Sequence, residues 1–210
     1  MIVVGLGTSR KESKKIHSFF NKENGFLFGL ESDINNVAWN DSENIIVNRI
    51  NFLRDSLYKN TNQNKDNFKV IGEVAFYMFP YLELLINNFP YLKFICTQQN
   101  RKKTYEDLIS DAKINSNFFI RMLLFKKEYK NHWILHDGTK WQKDYTLDKC
   151  YPKFKVGSLK RSINEYIDLY HSGLKRIQKK YPKNLKVFYL DELNSDYGKN
   201  KIFSFIGVKK

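Results

Sequence analysis

The chain has 210 residues, 42% hydrophobic and 16% aromatic, which is enough to bury a full core in one domain and too apolar for a mostly disordered protein. A formal charge of +14 and a pI of about 9.6 point to anionic partners such as nucleotides, nucleic acid, sulfated or phosphorylated molecules, or acidic lipid. A chain this rich in Lys and Asn also acquires such a charge from coding bias alone. Cys96 and Cys150 form neither a disulfide framework nor a zinc knuckle, so a reducing compartment is the expectation. The apolar run after Met1 is too short for a signal-peptide core or a membrane span, and the longest apolar stretch, Val74 to Ile86, is interrupted by Pro80 and Glu83. These features predict a soluble, cytoplasmic protein.

In chain order, the apolar run from Ile2 ends in the glycines Gly5 and Gly7, followed by the hydroxyl residues Thr8 and Ser9, and reads as a buried strand that turns sharply into a helix from Arg10 to Phe20. The helix start presents N–H groups that have no intrahelical partner. That is anion-binding geometry, with an ordinary strand-to-helix turn as the plain alternative. Gly25 to Leu30 reads as a second strand ending at Glu31, and a helix follows from about Glu43 with Ser42 as its N-cap. Ile46, Ile50, Leu53 and Leu57 give that helix one core face.

Thr61 to Asn67 is an Asn- and Lys-rich loop; Phe68 to Val74 is a third strand, and Pro80 opens a helix from Tyr81 to Phe89. Leu92 to Thr97 is a fourth strand, followed by the polar turn Gln98-Gln99-Asn100 and a helix to about Asp111, with a further helix expected over Asn117 to Tyr129. Lys130 to Val156 is dense in aromatic, His, Asp and Lys residues without periodicity, and reads as a long structured loop or lid. Ser158 opens a long helix whose one face carries Leu159, Ile163, Tyr166, Ile167, Tyr170 and Leu174; Leu185 to Leu190 is a fifth strand, and Lys199 to Phe205 is a last helix closed by Gly207.

Strands alternating with helices predict a single α/β domain, a central parallel sheet of about five strands covered by helices on both sides. Ligands in such sheets bind beyond the carboxyl ends of the strands. The opening loop, Glu31, Glu73 and the turn from Gln98 to Asn100 are expected to converge there.

Aligned on Gly5, the phosphate loop of nucleoside triphosphatases, G-x-x-x-x-G-K-[ST], places Lys11 in the lysine register, Arg10 at the second glycine and Glu12 at the magnesium-binding hydroxyl. A carboxylate at that position repels phosphate and argues against a nucleotide kinase. His132, His136 and Asp137 invite a metal reading, but Gly138 argues against a helix there and no third ligand is evident. His17 and His171 read as surface or boundary residues.

Taken whole, the chain resembles the sulfotransferases, and in particular a bacterial and algal branch of that family. Three segments carry the resemblance: Gly5 to Ser13 for the 5′-phosphosulfate loop, Leu92 to Asp107 for the 3′-phosphate motif, and Val187-Phe188-Tyr189-Leu190-Asp191-Glu192-Leu193 through Phe205-Ile206-Gly207-Val208 near the end. The stretch Asn131-His132-Trp133, His136-Asp137-Gly138, Trp141 and Asp148 to Lys153 adds to it, as does Glu31 followed by Val37-Ala38-Trp39. The resemblance implies a P-loop-like fold over residues 1–210 with a lid at about 130–156. It further implies a donor, 3′-phosphoadenosine 5′-phosphosulfate (PAPS), and sulfuryl transfer to a hydroxyl or amine of a small molecule or glycan, with no metal, no membrane span and no nucleic-acid partner.

By the same resemblance Glu31 is the candidate base, with Lys11 or Arg10 as the stabilising cation. Gly5, Gly7, Thr8, Ser9, Arg10, Lys11, Ser13, Gln99, Arg101 and Asp107 are the candidate donor-binding residues. Departures stand in both donor motifs. Thr8 replaces a basic residue, Arg10 a glycine, Lys11-Glu12 a Thr pair, Gln99 an Arg, Asn100 an Asp and Asp107 a Ser. They keep open an inactive relative that binds a polyanion or a partner protein.

Overall fold

A computed structural model of the chain describes residues 1–63, 68–112, 132–135, 147–155 and 157–208. Its elements in order are β1 Ile2–Leu6, α1 Arg10–Asn21, β2 Phe26–Leu30, α2 Glu43–Gln63, β3 Val70–Val74, a 3-10 turn Phe76–Tyr81, α3 Leu82–Asn88, β4 Lys93–Gln98, α4 Arg101–Ala112, α5 Leu159–Lys180, β5 Leu185–Tyr189 and α6 Asp196–Ile206. The strands form one sheet in the order β2-β3-β1-β4-β5, and every pairing is parallel. This is the single α/β domain expected from the alternation of elements.

The central strand shows why. All five residues of β1 are buried. Ile2, Val4 and Leu6 face one apolar layer with α2, α3, α4 and α5, whereas Val3 faces the other with α1 and α6. A parallel strand covered on both faces therefore reads as an unbroken apolar run. On α1 the buried Ile16, Phe19 and Phe20 supply one stripe, and on α5 Ile163, Tyr166, Ile167, Tyr170 and Leu174 supply another. The N-cap of α5 is Ser158, as expected, and α6 ends on Gly207 in the left-handed region at φ 73°, where a side chain would be strained.

Some boundaries differ from expectation. Pro80 lies inside the 3-10 turn before α3, where the tighter winding tolerates its missing N–H, and does not open an α-helix. The second helix continues to Gln63, into the expected loop. Ser42 precedes α2, but its hydroxyl accepts the N–H of Ala38 behind it at 2.8 Å. The last helix begins at Asp196, capped by Ser195, because that hydroxyl accepts the N–H of Gly198. The helix expected over Asn117 to Tyr129 lies outside the described residues.

The topology also fixes a crevice. The chain leaves β1 toward β2 on one side and leaves β4 toward β5 on the other, so the strand order reverses between neighbours β1 and β4. Ligands of open parallel sheets bind at such a switch point.

Candidate active site

At the carboxyl end of β1 the chain turns through Gly7, Thr8 and Ser9. Gly5 is still within the strand, opposite Val74 of β3 and Ile95 of β4, so a motif frame that starts on Gly5 starts inside the sheet. Gly7 is the glycine of the turn: a Cβ there would stand 2.5 Å from the Glu12 Cβ and 2.7 Å from the Ser13 nitrogen. With the phosphate-loop frame on Gly7, Glu12 occupies the second glycine, Ser13 the lysine position and Lys14 the hydroxyl position, while Arg10 falls between the two glycine positions.

Ser9 caps α1, its hydroxyl accepting the N–H of Glu12 at 3.3 Å. Thr8 is fully buried and engaged on three sides. Its carbonyl accepts the Tyr166 hydroxyl at 3.0 Å, its own hydroxyl lies 3.2 Å from His171 Nε2, and its N–H donates to Glu12 Oε2 at 3.2 Å. Glu12 Oε2 also accepts the Thr97 hydroxyl of β4 at 3.2 Å. Burial pushes the Glu12 carboxyl up to about 7, against the pull of the Thr8 N–H and the Thr97 hydroxyl. Glu12 Oε1 and Ser13 Oγ are buried and have no hydrogen-bond partner.

The predicted cations point outward from this turn to carboxylates. Arg10 Nε donates to Glu31 Oε2 at 2.8 Å, bringing the candidate base and one candidate cation into contact. Glu31 holds φ at 50°, is 5% exposed, and leaves Oε1 without a partner. Burial raises its carboxyl above the ordinary value while Arg10 opposes the shift. Lys11 Nζ donates to Asp107 Oδ1 at 3.0 Å, and Gln99 Nε2 donates to Asp107 Oδ2 at 2.8 Å. The segments matching the two donor motifs therefore meet across the β1–β4 crevice.

Arg101 turns away from that chain and pairs with Asp168 and Asn164 of α5. Glu73 braces the loop after β2: it accepts the Ser32 N–H at 2.9 Å and the Ser32 hydroxyl at 3.0 Å.

Of the aromatic stretch, His132, Trp133 and Tyr151 pack inward, while Leu135 is exposed. Trp133 and Tyr151 are buried with ring centroids 4.8 Å apart, and Tyr151 stands edge-on to Tyr166 at 5.4 Å. His132 Nδ1 lies 2.8 Å from Asp148 Oδ1, while His136, Asp137, Gly138 and Trp141 lie outside the described residues. Cys96 and Cys150 are both buried. Among the described residues no helix is long and apolar enough to cross a membrane.

Thr97, Tyr166, His171 and Arg49 were not singled out from the sequence as site residues. Glu12 entered as a carboxylate that repels phosphate and as a departure from the donor motif, although Ser9-x-x-Glu12 carries the spacing of a helix capping box.

For PAPS the residues fit in part. The Gly7 cradle, the positive end of α1, and Arg10, Lys11 and Ser13 suit an anionic group. The Glu12 carboxylate does not, because it already takes an N–H of the turn. The segment that resembles the 3′-phosphate motif has Gln99 and Asp107 in place of a bidentate cation and a hydroxyl.

No protein-family model matches the chain, and no curated protein sequence matches it. Among solved structures, the crystal structure of a sulfotransferase from Alicyclobacillus acidocaldarius is similar, with a TM-score of 0.51 and 12% identity, covering 99% of this chain and 81% of that one. A likeness at that identity is one of fold. The chain has a sulfotransferase-like α/β architecture, and its chemistry has to be argued from its own residues.

Proposed function

We propose that the protein transfers a sulfuryl group from PAPS to a hydroxyl or amine of a small molecule or glycan. The observation that carries this reading is the meeting of Lys11, Gln99 and Asp107, from the two donor-motif segments, at the switch point of a sulfotransferase-like sheet. Bound PAPS supplies the activated sulfuryl group, and the remaining roles fall to the chain. The turn after β1 and the start of α1 hold negative charge with N–H groups, Arg10 and Lys11. Glu31 accepts the acceptor's proton at Oε1, while Arg10 orients it through Oε2; its raised carboxyl suits a general base better than an ordinary exposed glutamate would. The buried Trp133, Tyr151 and Tyr166 keep water from the turn.

Calorimetry with 3′,5′-adenosine bisphosphate against 5′-AMP tests this reading. A clear preference for the bisphosphate is expected, with Glu31→Gln binding it as the wild type does while transfer stops. Equal affinity for the two nucleotides overturns the donor assignment.

One observation favours a second reading, a relative that binds a polyanion or partner protein without transfer: Arg10 and Lys11 are each committed to a carboxylate. Salt-steep binding to heparin, with no thermal shift from nucleotide, identifies that case.

A further inference from the structure

Where the motif has a small residue that lets an anion approach, this chain puts a negative charge of its own. Glu12 is fully buried, yet among the described residues no cation pairs with it, because Arg10 turns to Glu31 and Lys11 to Asp107. Its Oε2 takes the Thr8 N–H and the Thr97 hydroxyl, and its Oε1 takes nothing. Ser13 Oγ, buried in the same turn, is also unpartnered. A carboxylate that accepts a turn N–H beside the positive end of a helix makes the contact that a bound sulfate or phosphate oxygen would make.

We propose that Glu12 is the resident anion of the β1–α1 turn, an internal plug that holds the donor's place and must be neutralised or displaced before an external sulfuryl or phosphoryl group can enter. The inference rests on the reading of this turn as a donor site, and it makes Glu12 the residue that sets how tightly the site takes an anion.

Several groups face the plug. Asp107 of α4 pushes the Glu12 carboxyl up in the same direction as burial, and the buried phenols Tyr166 and Tyr170 of α5 lie within its field. Thr8 and Thr97 are neutral donors, the Gln99 amide adds a smaller pull in the same direction as theirs, and His171 is linked to it through Thr8. A carboxyl poised at about 7 is neutral in about a tenth of molecules at pH 8 and in about nine tenths at pH 6. An anion that needs it neutral therefore binds about tenfold tighter at the lower pH.

Sulfate keeps its charge across that range and is the probe. It is titrated by calorimetry into the full chain, the Glu12→Gln variant and the Glu12→Gly variant at constant ionic strength. Wild-type affinity is expected to rise about tenfold from pH 8 to pH 6. Both variants are expected to bind at pH 8 at least as tightly as the wild type does at pH 6, with little response to pH. Glu12→Gln keeps the side chain's shape and decides the matter if Glu12→Gly unfolds.

A wild-type affinity indifferent to pH, or Glu12→Gln no tighter than wild type at pH 8, overturns the plug. A pH response that persists in Glu12→Gln overturns it too and moves the response to His171. The bisphosphate and 5′-AMP titrations separate the two readings. Variants that gain sulfate without preferring the bisphosphate retain the plug and overturn the donor. A bisphosphate preference without any gain in sulfate binding does the reverse.

Discussion

Glu73 and Glu12 are both fully buried near the carboxyl ends of neighbouring strands, and the fold treats them in opposite ways. Glu73 receives the Ser32 N–H, the Ser32 hydroxyl and the Arg49 guanidinium, which reaches it through both Nε and Nη2. Its charge is neutralised and its oxygens are bonded, so it ties the start of the β2–α2 connection to β3 and α2. Glu12 has neutral donors alone, the Thr8 N–H and the Thr97 hydroxyl each at 3.2 Å, and its Oε1 accepts no hydrogen bond. A buried carboxylate with a cation and full hydrogen bonding is a structural brace; one without them keeps a standing cost that a proton or a rearrangement relieves. In this molecule the brace stands on the β2–β3 side of the sheet, and the unrelieved charge stands at the switch point.

Breaking the brace has the largest expected effect. Arg49→Ala removes the only cation paired with Glu73 among the described residues and leaves a fully buried carboxylate to two Ser32 donors. A loss of about 3 kcal/mol is expected, measured as a lower denaturant midpoint at unchanged slope. A loss near zero would mean that another partner replaces the guanidinium, and the contrast with Glu12 would collapse.

Relieving the unrelieved charge comes next. The fold raises Glu12 from 4.5 to about 7, so the native state takes up a proton that the unfolded state does not hold between those values. The stability this contributes is complete below about pH 4.5 and is lost as pH rises through about 7, a change of about 3 kcal/mol. Glu12→Gln, with no charge to bury, is expected to lack this decline and to unfold at higher denaturant than wild type at pH 8. Parallel pH–stability curves for the two proteins would place the titration elsewhere.

Much of this fold was legible because both faces of the sheet are covered. Apolar runs such as the one opening at Ile2 and Leu92 to Thr97 mark strands, and the spacing from Ile163 to Leu174 marks a helix face. The convergence of the loop after β1, Glu31 and Gln99 followed from the parallel order alone. The partners within the site did not. Two glycines separated by one residue left open which one ends the strand, and only the pairing of Gly5 with Val74 and Ile95 puts the turn at Gly7. The inward aim of Glu12 depends on how tightly Gly7 lets α1 approach, a contact that composition does not encode. Tyr166 fits its apolar helix face, yet its hydroxyl reaches the Thr8 carbonyl across a sequence separation that no local pattern spans. Arg49 sits on α2 as one polar residue among many, and its role appears only once β3 brings Glu73 beside it.

The smallest expected effect on stability belongs to the Lys11–Asp107 bridge, which joins the two donor-motif segments. The Lys11 side chain is 48% exposed and that of Asp107 17%, so water screens the pair and side-chain ordering offsets part of its attraction. The hydrogen bond to Asp107 raises the lysine's proton affinity, but Gln99 also bonds Asp107 and keeps the carboxylate satisfied when the lysine is removed. Lys11→Ala is therefore expected to cost under about 1 kcal/mol at low salt, and less as added salt shortens the reach of the charges. Equilibrium unfolding at two ionic strengths measures this. A salt-independent loss of about 3 kcal/mol would make the bridge a brace of the Glu73 kind, and Lys11 would no longer be available to an incoming anion.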